Sequence, residues 1–235
     1  MVRVAPRPIF IHGAGGGTAT WRHQEPRFEG CAVLALPGHP AGTALQSVAA
    51  YAEWTVQTIR EIPGPRVLVG HSMGGAIALQ VTVDHPDVAA GVVIVASGPQ
   101  LFVPDAAFDL AQSDFTAECE RLLRKGWWEP DEETIADEAA LMAEVGQQTL
   151  LADYAACRGF DITDRLSEVR LPVLVVAGER DALTPPSLVE KLVRGLPQAL
   201  LVMIPDAGHW VMKEHPATVD LLIAGFLARL ELTDG

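Results

Sequence analysis

The chain reads as an α/β protein built on a doubly wound, mainly parallel sheet of about six strands, with a helical insertion. Three observations carry that reading. Short β-branched runs recur at 8–12, 31–36, 66–70, 91–96, 172–177 and 200–204 with helix-patterned stretches between them, the alternation that a parallel sheet with crossover helices requires. The third run leads directly into Gly70-His71-Ser72-Met73-Gly74-Gly75 and then an apolar helix-like stretch over 76–83, so a strand turns sharply into a helix there. About 75 residues separate the fourth run from the fifth, well beyond an ordinary connection of a few residues. The expected division is a core of 1–98 and 170–235 interrupted by a helical lid or cap over 99–169.

Each element has its own signal. Between the second and third runs, Val48, Tyr51, Ala52, Thr55, Ile59 and Ile62 share one helical face, and Ser47 precedes them as a cap. Within the insertion, 117–124 and 132–145 are patterned as helices around Trp127-Trp128. A helix over 188–194 is stopped by Gly195, and one over 216–230 is opened by Pro216. At the sharp turn, Gly70 and Gly74 lack the Cβ atoms that would collide where strand and helix approach.

A length of 235 residues suits one α/β domain with an insertion. Hydrophobic residues make up 49% of the chain and the mean hydropathy is +0.21, values that exclude disorder and suit strands buried on both faces. A formal net charge of -13 argues against nucleic acid or an anionic membrane as partner. A small molecule is the expected partner, and oligomeric state is open. Residues 1–10 do not resemble a secretory signal, and no apolar run approaches membrane-spanning length. Cys31, Cys119 and Cys157 are scattered, without the spacing of a disulfide framework or a metal site. A reducing cytoplasm is the expected compartment.

A serine hydroxyl becomes a useful nucleophile at neutral pH only beside an imidazole base that a carboxylate orients. The fifth run is followed by Gly178-Glu179-Arg180-Asp181, and the sixth by Asp206-Ala207-Gly208-His209-Trp210. Ser72, Asp181 and His209 thus each lie just past the carboxyl end of a strand, the edge where open α/β sheets place ligands. Asp206, Glu179 and Asp105 are lesser candidates for the acid. Strand alternation points His71 away from Ser72, His12 supports the loop after the first strand, and His23, His39, His85 and His215 are assigned to turns or surface. Gly15-Gly16-Gly17 lacks the lysine and Ser/Thr spacing of a phosphate-binding loop. Trp21, Trp127, Trp128, Trp210, Leu101, Phe102 and Met142 are candidates for an apolar substrate pocket.

Together, Ile11-His12-Gly13, Pro37-Gly38-His39, the turn around Ser72, the 178–181 turn and Gly208-His209 resemble the motifs of the α/β-hydrolase fold superfamily over nearly the whole chain, and small bacterial carboxylesterases in particular. The resemblance implies a Ser72-His209-Asp181 triad, with backbone N–H groups of Ala14 and Met73 as the oxyanion hole and no metal or organic cofactor. It implies hydrolysis of carboxylic esters with short to medium acyl chains. Thioesterase, enol-lactonase and carbon–carbon bond hydrolase activities share such a triad, and a hydrolase-like ligand receptor is the non-enzymatic alternative. Serine rather than aspartate at the elbow argues against haloalkane dehalogenase and epoxide hydrolase chemistry. Two departures from the superfamily pattern stand out. His12-Gly13 comes so early that the antiparallel hairpin which normally opens the fold is expected to be missing, and Pro40 replaces the usual glycine after Pro-Gly-His.

Overall fold

The strand that ends at His71 lies inside the sheet, between the first and fourth strands. In the computed structural model, which describes residues 5–233, β1 (Arg7–Ile11), β2 (Ala32–Leu34), β3 (Arg66–His71), β4 (Gly91–Val95), β5 (Val173–Gly178) and β6 (Ala199–Ile204) form one sheet in the order β2-β1-β3-β4-β5-β6. Every neighbouring pair is parallel. The sheet is therefore wholly rather than mainly parallel among the described residues. The chain runs outward from β1 to β2 and then crosses back to β3, so its direction of winding reverses between β1 and β3. Loops leaving adjacent strands at such a point diverge to opposite faces and open a crevice between them.

Alternation along the buried strands divides the core into two layers. Ile9, Ile11, Leu68, Val92, Ile94 and Val175 face α1 (Val48–Ile59) and α2 (Met73–Asp84) through Tyr51, Val56, Ile59 and Ile77. Phe10, Val67, Val69, Val93, Val95 and Val176 belong to the opposite layer with Val219, Ile223 and Phe226 of α9 (Pro216–Thr233). Each fully buried aliphatic side chain contributes about 1.5–3 kcal/mol. Ser47 caps α1, its side chain accepting from the Ala50 N–H at 3.1 Å. The other two α-helices of the core are α7 (Pro186–Gly195) and the short α8 (Val211–Glu214). No helix among the described residues is long and apolar enough to cross a membrane.

Between β4 and β5 lie four α-helices, two more than the sequence pattern predicts: α3 (Asp105–Ser113), α4 (Phe115–Gly126), α5 (Glu132–Val145) and α6 (Gln147–Arg158), followed by a 3-10 helix over Thr163–Glu168. The two visible in the pattern have capping side chains, Asp114 accepting from Ala117 and Asp131 from Thr134. No side chain caps α3 or α6, and α6 starts from Gly146 at φ 87°. Their start signals are absent, so periodicity has no boundary to work from.

Candidate active site

Ser72 occupies the junction of β3 and α2 at φ 53° and ψ -118°, a region that costs a non-glycine residue about 1–3 kcal/mol. The surroundings over-determine it. The Ser72 N–H donates to Val95 O at 3.0 Å, and its carbonyl accepts from Ser97 Oγ at 2.8 Å, Gly75 N at 2.9 Å and Ala76 N at 3.1 Å. A Cβ on Gly70 would fall 2.2 Å from Gly74 O, and one on Gly74 2.2 Å from Ile11 O. Strand, turn and the neighbouring β1 are thus in backbone contact, which fixes the serine above the sheet edge.

Asp181 and His209 approach from the ends of β5 and β6. His209 Nδ1 donates to Asp181 Oδ2 at 2.8 Å, and both side chains are buried. Asp181 Oδ2 also accepts from Thr184 Oγ1 at 2.6 Å, while Oδ1 accepts from the N–H groups of Leu183 and Thr184, both at 2.8 Å. Burial pushes the Asp181 carboxyl up, but the attraction of the His209 ring and the hydrogen bonds from His209 and Thr184 outweigh it and hold the group below the ordinary carboxylate range. The carboxylate is kept ionised and fixed. Asp105, by contrast, is exposed and paired with Arg158 at 2.9 Å, and the Asp206 carbonyl serves His215.

His209 is also held through its backbone. Its N–H donates to Gly126 O at the end of α4 at 2.6 Å, and its carbonyl accepts from His71 Nε2 at 3.0 Å. His71 therefore does not point away from the site as alternation predicts. It is the last residue of β3, and the positive φ of Ser72 ends the regular zigzag there, so adjacent side chains reach the same cavity. His39 sits in the turn after β2, one of the two expected placements, but it is buried rather than at the surface. Its Nε2 donates to Asp153 Oδ2 at 2.8 Å. That same oxygen accepts from the Gly15 N–H at 2.8 Å, and Asp153 Oδ1 accepts from Tyr51 OH at 2.9 Å. Asp153 on α6 thus ties the loop after β1 to α1 and to the loop after β2. His12 completes that loop, accepting from the Leu36 N–H at Nε2 and donating from Nδ1 to Gly13 O.

Burial, reinforced by the neighbouring His39, lowers His12 to about 3. Burial, reinforced by His209, takes His71 well below its ordinary value. Both rings are neutral in the fold and titrate near about 6.5 in an exposed chain. The unfolded state consequently binds a proton at each that the folded state does not. Stability from these groups is complete above about pH 6.5 and falls as pH drops below it, by about 1.4 kcal/mol per pH unit for each ring. For His12 the fall continues to about pH 3. Urea unfolding at pH 7.5, 6.0 and 5.0 is expected to show this decline; an unchanged free energy across that range would mean that the rings are charged in the folded protein.

Ser72, His71 and His209 open onto a cavity of about 520 Å³, which Ala14, Leu101, Phe102 and Trp210 also line. Among the described residues the N–H groups of Ala14 and Met73 have no acceptor, and Met73 opens α2, where the first N–H groups lack intrahelical partners. The other predicted pocket residues lie elsewhere. Trp21 is fully buried against Phe10, with ring centroids 4.9 Å apart. Trp127 stacks behind Trp210 at 6.0 Å, and Trp128 lies at the surface beneath Arg180. Neither lines the cavity, whose wall there is Trp210. Met142 lines a smaller adjoining cavity of about 120 Å³. Thr184 is the functional side chain closest to legible in sequence, since Asp181 with a threonine three residues on and Pro185 after it is a side-chain-capped turn signature.

This fold, with a side-chain-bearing turn at the switch point of a parallel sheet, is that of the α/β hydrolases, and this chain is an enzyme of that class. It belongs to the alpha/beta hydrolase family, whose model matches residues 9–220. It is 30% identical to a Variovorax paradoxus protein provisionally named carbamate hydrolase RutD, over 94% of this chain and 91% of that one. Identity to the pimeloyl-[acyl-carrier protein] methyl ester esterase of Aromatoleum aromaticum is 29%, over 93% and 96% of the two chains. Among solved structures, a thermophilic esterase superposes with a TM-score of 0.86 at 25% identity, covering 97% of this chain and 92% of that one.

Proposed function

We propose that the protein is a serine esterase that cleaves carboxylic esters of short to medium acyl chains through an acyl-enzyme on Ser72. The observation that carries this reading is the His209 Nδ1 donation to Asp181 in a cavity shared with Ser72. With the proton on Nδ1, the Nε2 lone pair is the free base. His209 removes the Ser72 hydroxyl proton as Oγ attacks the ester carbonyl, and the N–H groups of Ala14 and Met73 receive the oxyanion, assisted by the positive end of α2. Collapse of the tetrahedral intermediate expels the alkoxide, which takes the proton from His209. Water then attacks the acyl-enzyme with His209 again as base, releasing the acid and restoring Ser72.

Residues 99–169 act as the lid in this reading, with Leu101, Phe102, Leu122 and Tyr154 supplying cavity wall opposite the triad. A cavity of about 520 Å³ falls in the range of small-molecule sites and sets an upper limit on the acyl chain. A series of p-nitrophenyl esters from acetate to laurate, run beside acyl thioesters, is expected to show repeated turnover with a maximum at short or medium chains and a decline at the long end. Inert esters with active thioesters would overturn the ester assignment. A single stoichiometric event without turnover would favour a ligand receptor.

A further inference from the structure

The charges around the cavity run against those of the chain. The protein has 30 acidic and 17 basic side chains, yet the cavity is lined by Arg121, Lys125 and Lys191 and by no aspartate or glutamate. Arg121 is already neutralised, donating from Nε and Nη2 to both oxygens of the buried Glu118 at 2.6 and 2.7 Å. The two lysines are not. Lys191 Nζ donates to Gln100 Oε1 at 2.9 Å, a neutral acceptor, and forms no ion pair among the described residues. Asp161 is a carboxylate within reach of that ammonium, and its carboxyl is held down first by the Thr163 hydrogen bonds and last by Lys191. Lys125, exposed near the end of α4, has no hydrogen bond or ion pair among the described residues.

The position of these charges separates binding from chemistry. Phe102 is 82% exposed and still lines the cavity, which marks its mouth. Lys125 is likewise both exposed and lining, so its ammonium stands at the entrance. Apolar wall from Leu101, Leu122, Leu183 and Leu188 also lines the cavity. Lys191 is half-buried and tied to Gln100, the neighbour of Leu101 and Phe102. An overall charge of -13 repels anions at long range, so two ammonium groups lining one cavity without a carboxylate beside them in its wall form a local exception to the protein's own field.

We propose that the substrate carries an anionic group remote from its scissile carbonyl, a carboxylate on a chain of a few carbons, which Lys125 and Lys191 receive at the cavity mouth. This inference rests on the esterase reading and names the substrate class of that same site. The carboxylate can belong to the acyl part, as in a half-ester of a dicarboxylic acid, or to the alcohol part. Both place a negative charge at the mouth while the ester carbonyl lies at Ser72.

Matched pairs test it. Mono-4-nitrophenyl adipate against 4-nitrophenyl hexanoate places the carboxylate on the acyl side with one common leaving group. The hexanoate ester of 4-hydroxybenzoate against that of methyl 4-hydroxybenzoate places it on the leaving group. Partly exposed ion pairs contribute on the order of two- to fivefold each, so in 20 mM salt the anionic member of one pair is expected to lead by about tenfold in kcat/KM. That ratio should fall towards one in the Lys125→Gln/Lys191→Gln double variant, and also in 0.5 M NaCl, where screening shortens the reach of surface charges. A ratio of one or less in both pairs, or a ratio that the double variant does not move, overturns the proposal. Calorimetric binding of monomethyl against dimethyl adipate to Ser72→Ala gives a readout without turnover. If no ester is hydrolysed but the monoanion binds better, and only while the lysines are present, the esterase reading fails and the anion site stands.

Discussion

Ser72→Ala should lower kcat by about six orders of magnitude with the fold intact, as loss of the nucleophile does in other triad enzymes. Alanine can occupy the same strained backbone, because the hydrogen bonds that hold residue 72 come from its own N–H and C=O. The loss is then chemical rather than structural, and thermal unfolding of the variant is expected to stay close to wild type. His209→Ala should cost about as much, since an unassisted hydroxyl is a poor nucleophile. Asp181→Asn should cost about 10⁴-fold, because an amide in place of Oδ2 favours the wrong imidazole tautomer. A fluorophosphonate should label wild type stoichiometrically and leave Ser72→Ala unlabelled. Retention of more than a few per cent of ester turnover in Ser72→Ala would sink the acyl-enzyme mechanism.

The fold was legible wherever local rules and tertiary demands agree. The four inner strands announce themselves as apolar runs because a parallel strand covered on both faces has no reason to alternate, and all six observed strands, the half-buried edge strands β2 and β6 included, fall within one or two residues of the runs in the sequence. Ser72, His209 and Asp181 were legible for a related reason: each follows a recognisable strand, and the glycines beside Ser72 and His209 have backbone neighbours at 2.2 Å from any added Cβ. What escaped the sequence depends on contacts far apart in the chain. His39 and Asp153 are separated by 114 residues, and no periodicity or motif links them. His71 was misread because alternation assumes a regular strand, and the positive φ at Ser72 ends it. The tryptophans were over-read, since an aromatic near a site in sequence can equally be the second layer behind its wall, as Trp127 is behind Trp210.

The inserted helices are attached at both halves of the site, which gives Asp153 a role beyond covering the sheet. At one end, Gly126 O fixes the backbone of His209, and Glu214 accepts from both Trp128 N and Gly208 N. At the other, Asp153 holds the N–H of Gly15, next to Ala14. Asp153→Ala leaves the Gly15 N–H, His39 Nε2 and Tyr51 OH facing a fully buried gap. Removing one partner of such a buried network costs about 3–5 kcal/mol, a large part of a typical domain's stability. Urea unfolding of this variant is therefore expected to show a loss of that size, or the protein to be recovered largely unfolded.

Asp153→Asn separates stability from catalysis. The amide keeps the shape and one acceptor oxygen but turns a donor towards one of its former partners, and Tyr51 OH can answer it as an acceptor whereas the Gly15 N–H cannot. The amide nitrogen therefore turns to Tyr51 and its oxygen keeps the Gly15 N–H and His39, so the fold should survive with a smaller loss, while the charge that strengthened the hydrogen bond from Gly15 is gone and the Gly15 loop is held less firmly. A displacement of about 1 Å at a positioning contact lowers turnover by about 10²-fold, and loss of one oxyanion donor costs about 10²–10³-fold. The expected signature is a fall in kcat of about 10² with little change in KM, because the oxyanion forms only after the ester is bound. Equal losses of kcat and stability-corrected active fraction would instead mean that Asp153 only holds the helices to the sheet, and wild-type kcat in a folded Asp153→Asn would remove it from the catalytic geometry altogether.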